Sequence, residues 1–387
     1  MSRSPLMADA SPTAIDAAVA QLRRRLGQEV SGPPPYLTEA TRDAIRHWAE
    51  ALGDDNPLWR EAAYAQTTRW GTIIAPPTML YAFDRLSIGY RGGLPGVHSM
   101  FGGTNWTFYH PVRLGDRITV KVIFKDLIER PSTFAGRSWQ QISAITFANQ
   151  DDLLLAESEA WGMRTERATA SARTAARQDT QPLTPAMYSA AHIQEIMERY
   201  AQETRRGSTP RYWEDVTVGE ALPPLLKGPY TVTTAIAFEQ AWGGLFIRAH
   251  GPWYAYLQRH PAAGLPNAQG VPEPPEAVHW DHDYARQAGV PFAYDYGPER
   301  ISWLAHLMTD WSGDAGFLCQ LNVQVRRFNM VGDLTTCTGQ VVAKTLQPSP
   351  RVQCDIWAEN QRGERTAFGT ATVELPSRAA ASQGDRS

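Results

Sequence analysis

Only three cysteines occur in 387 residues, Cys319, Cys337 and Cys354, and no two of them form a CxxC pair. That excludes a disulfide framework and a zinc finger or ribbon, and fits a reducing compartment. Neither sign of charge dominates: a net charge of -3 supplies no basic field for nucleic acid or anionic lipid, so neither is expected as a partner. No apolar run approaches the roughly 18 to 20 residues of a bilayer-spanning helix. The opening Met1-Ser2-Arg3-Ser4-Pro5 is not followed by an apolar signal core, so the expected setting is the cytoplasm. Also absent are a Gly-rich dinucleotide loop, a P-loop and a nucleophile elbow in strand-turn-helix context. Nicotinamide redox, nucleotide hydrolysis and serine hydrolase chemistry are therefore unsupported, and no cofactor or metal is expected.

What the chain does have is one pattern written twice. The first copy reads Gly53-Asp54-Asp55-Asn56-Pro57-Leu58-Trp59, then Ala75-Pro76-Pro77-Thr78, then Pro111-Val112-Arg113-Leu114-Gly115-Asp116. The second reads Val278-His279-Trp280-Asp281, then Asp295-Tyr296-Gly297-Pro298, then Phe328-Asn329-Met330-Val331-Gly332-Asp333. Pro77 and Asp116 lie 39 positions apart, and Gly297 and Asp333 lie 36 apart, so the two copies keep nearly the same internal spacing. A period this long means duplicated domains, and the length agrees. The boundaries fall at 1–165 for the first domain, 166–210 for a linker with a helix, 211–376 for the second domain and 377–387 for a disordered tail.

Periodicity supplies the elements. Ile45, Trp48, Ala49 and Leu52 recur at helical spacing behind the candidate caps Thr38 and Thr41, and an apolar helix is expected from Pro77 to about Leu86. Runs rich in β-formers follow at Arg117 to Leu127, Trp139 to Phe147 and Leu153 to Met163. The second half repeats the order: a helix near Thr233 to Trp242, another from Pro298 to about Trp311, then strands from Leu318 onward. Each half is thus a helix followed by an antiparallel sheet long enough to wrap it, an α+β solution.

These motifs resemble the MaoC-like dehydratase family, which includes (R)-specific enoyl-CoA hydratases. The first half is similar to the fatty-acid-synthase-type dehydratase version. The C-terminal half resembles the MaoC domain proper through Tyr212-Trp213-Glu214-Asp215 and Val278-His279-Trp280-Asp281. The resemblance implies a double hot-dog fold, an acyl-CoA thioester as partner and hydration of its double bond or the reverse. It also implies an Asp and a His five positions apart around one water, and a backbone N–H at the start of the central helix for the thioester oxygen. Carried onto this chain, Asp54 matches the family Asp, but Trp59 stands at the His position and Pro77, without an N–H, at the oxyanion position. The first half therefore reads as catalytically dead.

In the C-terminal half His279 matches the family His and Gly297 the oxyanion donor. Pro274 stands where the Asp should be, which leaves Glu276 and Glu273 as candidate carboxylates. Asp54 with Asn56 reads rather as a self-bonded turn, Asp281 and Asp283 as helix caps, and Asp116 and Asp333 as strand-entry turns. Between Gly243 and Ala277 lies an aromatic and Pro-rich insertion. It reads as a pocket wall for a bulky acyl group, with Tyr296, Trp253 and Tyr254 as substrate contacts, or as a surface flap or oligomer contact. Arg326 reads as a coenzyme A phosphate contact or as edge-strand protection. The expectation is an acyl-CoA hydro-lyase forming a homodimer. The alternatives are a non-catalytic acyl-CoA-binding helper and a hot-dog thioesterase.

Overall fold

The computed structural model describes residues 12–30, 35–84, 97–132, 136–166, 184–244, 248–287 and 289–379. The helices are α1 (Pro12–Arg23), α2 (Arg42–Ala51), α3 (Ala62–Thr67), α4 (Ala190–Ala201), α5 (Val232–Trp242), α6 (His250–Arg259), α7 (His282–Gln287) and α8 (Gly297–Ser312). The strands of the first half are β1 (Val97–Phe108), β2 (Thr119–Ser132), β3 (Gly136–Ala148) and β4 (Leu154–Glu166). The second half contributes β5 (Leu225–Lys227), a small hairpin of β6 (Leu265–Pro266) and β7 (Pro272–Glu273), and β8 (Phe317–Val325), β9 (Thr335–Thr345), β10 (Arg351–Asn360) and β11 (Arg365–Glu374).

Nine strands form one antiparallel sheet in the order β2-β3-β4-β1-β8-β11-β10-β9-β5. The halves meet where β1 pairs with β8, from Gly103 opposite Gln324 to Thr107 opposite Gln320. The sheet wraps two central helices, one per half, and the molecule is a double hot-dog of α+β class. The pseudo-symmetry extends to the helices that precede each site: α2 packs on α5, with the Trp48 and Phe238 rings 5.4 Å apart. Thr41 caps α2 by accepting from the Ala44 N–H.

The duplicated Gly-Asp turns are built alike. The Asp116 carboxylate accepts from the Arg113 N–H at 2.7 Å, and that of Asp333 from the Met330 N–H at 2.9 Å, so both hold the strand-entry turn. Asp281 caps α7 by accepting from the Asp283 and Tyr284 N–H groups.

Four expectations change. The first central helix is a 3-10 helix, Pro77–Phe83, and residues 85–96 lie outside those described. Strand β1 is new, because Gly102-Gly103 reads as a break in the sequence. In the fold Gly102 is the extra residue of a bulge between Phe101 and Gly103. A β-carbon on either glycine would stand within 2.6 Å of the Trp161 ring, which lies across the pair. The insertion after Gly243 folds into α6 and the β6–β7 hairpin. Finally, the tail begins ordered: Ser377 donates to Glu214 and Arg378 pairs with Asp215, while 380–387 lie outside the described residues.

Candidate active site

His279 ends a 3-10 turn, Pro275–His279, and its ring lies stacked on Tyr296, with centroids 3.7 Å apart and planes 29° from parallel. Its Nδ1 is 2.7 Å from the Tyr294 carbonyl. A carbonyl only accepts, so Nδ1 carries the proton and Nε2 keeps its lone pair. Burial pushes the imidazole pKa down to about 4, against the upward pull of the Tyr294 and Asp295 backbone, so the ring is neutral at neutral pH. This is a base held in one tautomer.

Tyr296 is the N-cap residue of α8 and Gly297 the helix's first residue. The first-turn N–H groups of a helix have no intrahelical acceptor, and the helix dipole adds positive potential there. An oxyanion is the group this position suits. Gly297 is glycine for a steric reason: a β-carbon on it would stand 2.3 Å from Cδ1 of Phe101, which arrives from β1 of the other half.

Of the two candidate carboxylates, the fold brings in one. Glu276 is 6% exposed and lies near the buried Tyr296 hydroxyl. Glu273 is tied into the hairpin, accepting from Asn267 at 3.3 Å. A carboxylate absent from the sequence reasoning joins Glu276: Glu239 of α5, itself 7% exposed. Burial first, then the neighbouring Glu239 and Glu276 charges, push the Tyr296 phenol well above its usual value. Glu239 lies on the buried face of α5 with Ala235, Phe238, Ala241 and Trp242, and only that burial singles it out. Beneath this group the Tyr230 hydroxyl donates to Glu299 at 2.8 Å, and Arg300 Nε donates to Asp295 at 2.8 Å, all four side chains being buried.

The remaining candidates lie elsewhere. Tyr296 supports His279 from one face and is itself 3% exposed, so it stands as framework more than as a wall. Trp253 is buried in the insertion, stacked on Tyr256 and donating to the Pro272 carbonyl at 2.8 Å. Tyr254 next to it is exposed. Arg326, just past the end of β8, is exposed and donates to Gln324.

The first half presents the opposite picture. Trp59, at the His position, donates its indole N–H to Asp54 at 2.8 Å, while Asp54 also accepts from the Asn56 N–H and Asn56 from the Leu58 N–H. The cavity beside Trp59 and Pro77 measures about 40 Å³, room for little more than a water. Asp54 faces a buried cluster instead. Lys227 Nζ donates to the Leu52 carbonyl at 2.6 Å and lies 2.9 Å from His306 Nδ1, while His306 Nε2 lies 3.1 Å from Asp310 and 3.6 Å from Asp54. With Lys227 donating to Nδ1, Nε2 carries the hydrogen that points at the carboxylates. Burial pushes His306 down to about 3 and Asp310 up to about 7.

Known proteins resemble parts of the chain in sequence and nearly the whole of it in fold. Residues 27–157 match the family described as "FAS1-like, dehydratase domain region". A UPF0336 protein of Streptomyces griseus subsp. griseus is 35% identical over 109 residues, which are 27% of this chain and 70% of that protein. The 3-oxo-4,17-pregnadiene-20-carboxyl-CoA hydratase alpha subunit of Mycobacterium tuberculosis is 23% identical over 142 residues, 32% of this chain and 44% of that subunit. The chain spans about 63% of the length of the UPF0336 relatives from Streptomyces avermitilis and Streptomyces coelicolor. In fold, a solved MaoC-like dehydratase superposes with a TM-score of 0.65 at 19% identity, over 92% of this chain and 99% of that one.

Proposed function

We propose that the chain, which belongs with the UPF0336 proteins and has the fold of a solved MaoC-like dehydratase, is a hydro-lyase that adds water to an α,β-unsaturated acyl-CoA or removes it from the 3-hydroxyacyl-CoA. The observation that carries this reading is the fixed tautomer of His279 beside the start of α8. In the hydration direction, Nε2 takes a proton from water as the oxygen bonds to the β-carbon. Electron density moves through the double bond onto the thioester oxygen, which the Gly297 N–H and the helix terminus stabilise as an enolate. The α-carbon then takes a proton, the one held on the imidazole or one passed through the carboxylate, and the enzyme returns to its starting state. Glu276 is the loop carboxylate assigned to this step.

The test follows the enoyl-thioester absorbance, with crotonyl-CoA and then an aryl-enoyl-CoA, for wild type beside His279→Ala. Expected is a decay that the variant loses while the thioester stays intact. Release of free thiol instead would indicate a thioesterase, and binding without turnover a helper protein.

A further inference from the structure

Phe101 belongs to the first half by sequence and to the second half's site by position. Its ring fills the space that any β-carbon on Gly297 would need, with Cδ1, Cγ and Cε1 at 2.3, 3.1 and 3.2 Å from that point. It therefore packs against the first residue of α8, beside the helix terminus where the thioester oxygen is expected. The ring is partly buried.

The backbone goes out of its way to aim it there. After the bulge the even residues Thr104, Trp106 and Phe108 face the core and are buried. A regular strand would continue that alternation backward to Gly102 and Met100, and would turn Phe101 outward, away from the helices. The extra residue Gly102 reverses the parity, so Phe101 faces inward. Holding the bulge requires Gly103 at φ +148°, where a β-carbon would also meet the Val323 carbonyl at 2.4 Å. Behind the ring stands Tyr81, edge-on at 6.4 Å. Tyr81 is fixed in turn, its hydroxyl donating to Thr104 at 2.8 Å and accepting from the Trp106 indole N–H at 3.0 Å. Tyr81 belongs to the 3-10 helix that replaces the first half's central helix.

We propose that Phe101 is a specificity-determining residue, a wall lent by the non-catalytic half that limits the size of the acyl group next to the thioester carbonyl. The proposal rests on the hydratase reading above. The same half that lost its own site would then survive as the mould of the other.

The test measures kcat/KM for crotonyl-CoA and for an aryl-enoyl-CoA in wild type, Phe101→Leu and Phe101→Ala. Expected is a rise of roughly tenfold or more in the ratio of bulky to short substrate, graded from Leu to Ala, since one or a few methylenes of pocket shape carry discrimination of that size. An unchanged ratio in folded variants would overturn the proposal and leave Phe101 as packing. A thermal-unfolding cycle keeps the geometry testable without activity. Gly297→Ala alone is expected to lower Tm, and Phe101→Ala with Gly297→Ala to recover most of that loss. Strictly additive losses would contradict the contact itself. If wild type turns over neither substrate, the hydratase reading fails separately. The wall is then read from calorimetric affinities for butyryl-CoA and a saturated aryl-acyl-CoA, where Phe101→Ala must still favour the bulky ligand.

Discussion

The base role proposed for His279 follows from what its other nitrogen does. The Tyr294 carbonyl holds the proton on Nδ1, the Tyr296 ring holds the plane, and burial keeps the imidazole neutral by pushing its pKa down to about 4. Protonation, and with it loss of the base, occurs only as pH falls through that value. The acid limb of the pH profile of kcat/KM is therefore expected near pH 4, and a limb near the ordinary imidazole value of about 6.5 would assign the base to another group. His279 and Gly297 were legible in the sequence because each sits in a short motif with a chemical reason. Glu239 was not, since an acid on an apolar stripe declares itself only once the stripe is known to be buried. Trp253 and Tyr254 belong to one run of aromatics, and neither faces His279: the first packs inside the insertion and the second faces outward.

At the scale of elements, α8 does two jobs. Its first turn serves the proposed site, and four residues apart near its other end His306 and Asp310 meet Asp54 of the first half and Lys227 of β5. Removing Lys227 leaves the buried Leu52 carbonyl and His306 Nδ1 without their partner, so Lys227→Met is expected to cost about 2 to 5 kcal/mol in urea unfolding. A loss below about 1 kcal/mol would show the cluster to be incidental. Asp310 supplies the pH dependence. Burial raises its pKa to about 7 in the folded state, so the native carboxyl keeps a proton that the unfolded chain releases from about pH 4 upward. Its contribution to stability is full below about pH 4 and falls as pH rises towards 7. Asp310→Asn should match wild type near pH 4 and exceed it at about pH 8 in the same unfolding measurement. None of this was legible beforehand, because the cluster joins three separate segments that only the tertiary fold brings together. The helices α2, α5 and α8 and most strands were legible, since their periodicity is local. Strand β1 was not, because its glycine pair signals a turn by every local rule, and only Trp161 lying over it shows why glycine is needed there.

For the molecule as a whole, the proposed function divides two tasks between the duplicated halves. The first half keeps the Asp54 turn but spends both carboxylate oxygens on its own frame, Trp59 and Asn56 among them, and has no N–H at Pro77. The second half keeps His279 and the helix terminus, and β1 joins the two halves of the sheet so that Phe101 reaches across. Among the described residues no helix is long and apolar enough to cross a membrane. The duplication and the antiparallel sheet were readable from the repeated Gly-Asp turns and their matched spacing. The meeting of the halves along β1 and β8 was not, because the joining strand is the one its glycines conceal. The most direct measurement is hydration of an enoyl-CoA by His279→Ala and Asp54→Asn side by side with wild type. Expected is a drop of about a hundredfold or more in the first and turnover close to wild type in a folded second; the reverse order would place the active site in the half assigned here as silent.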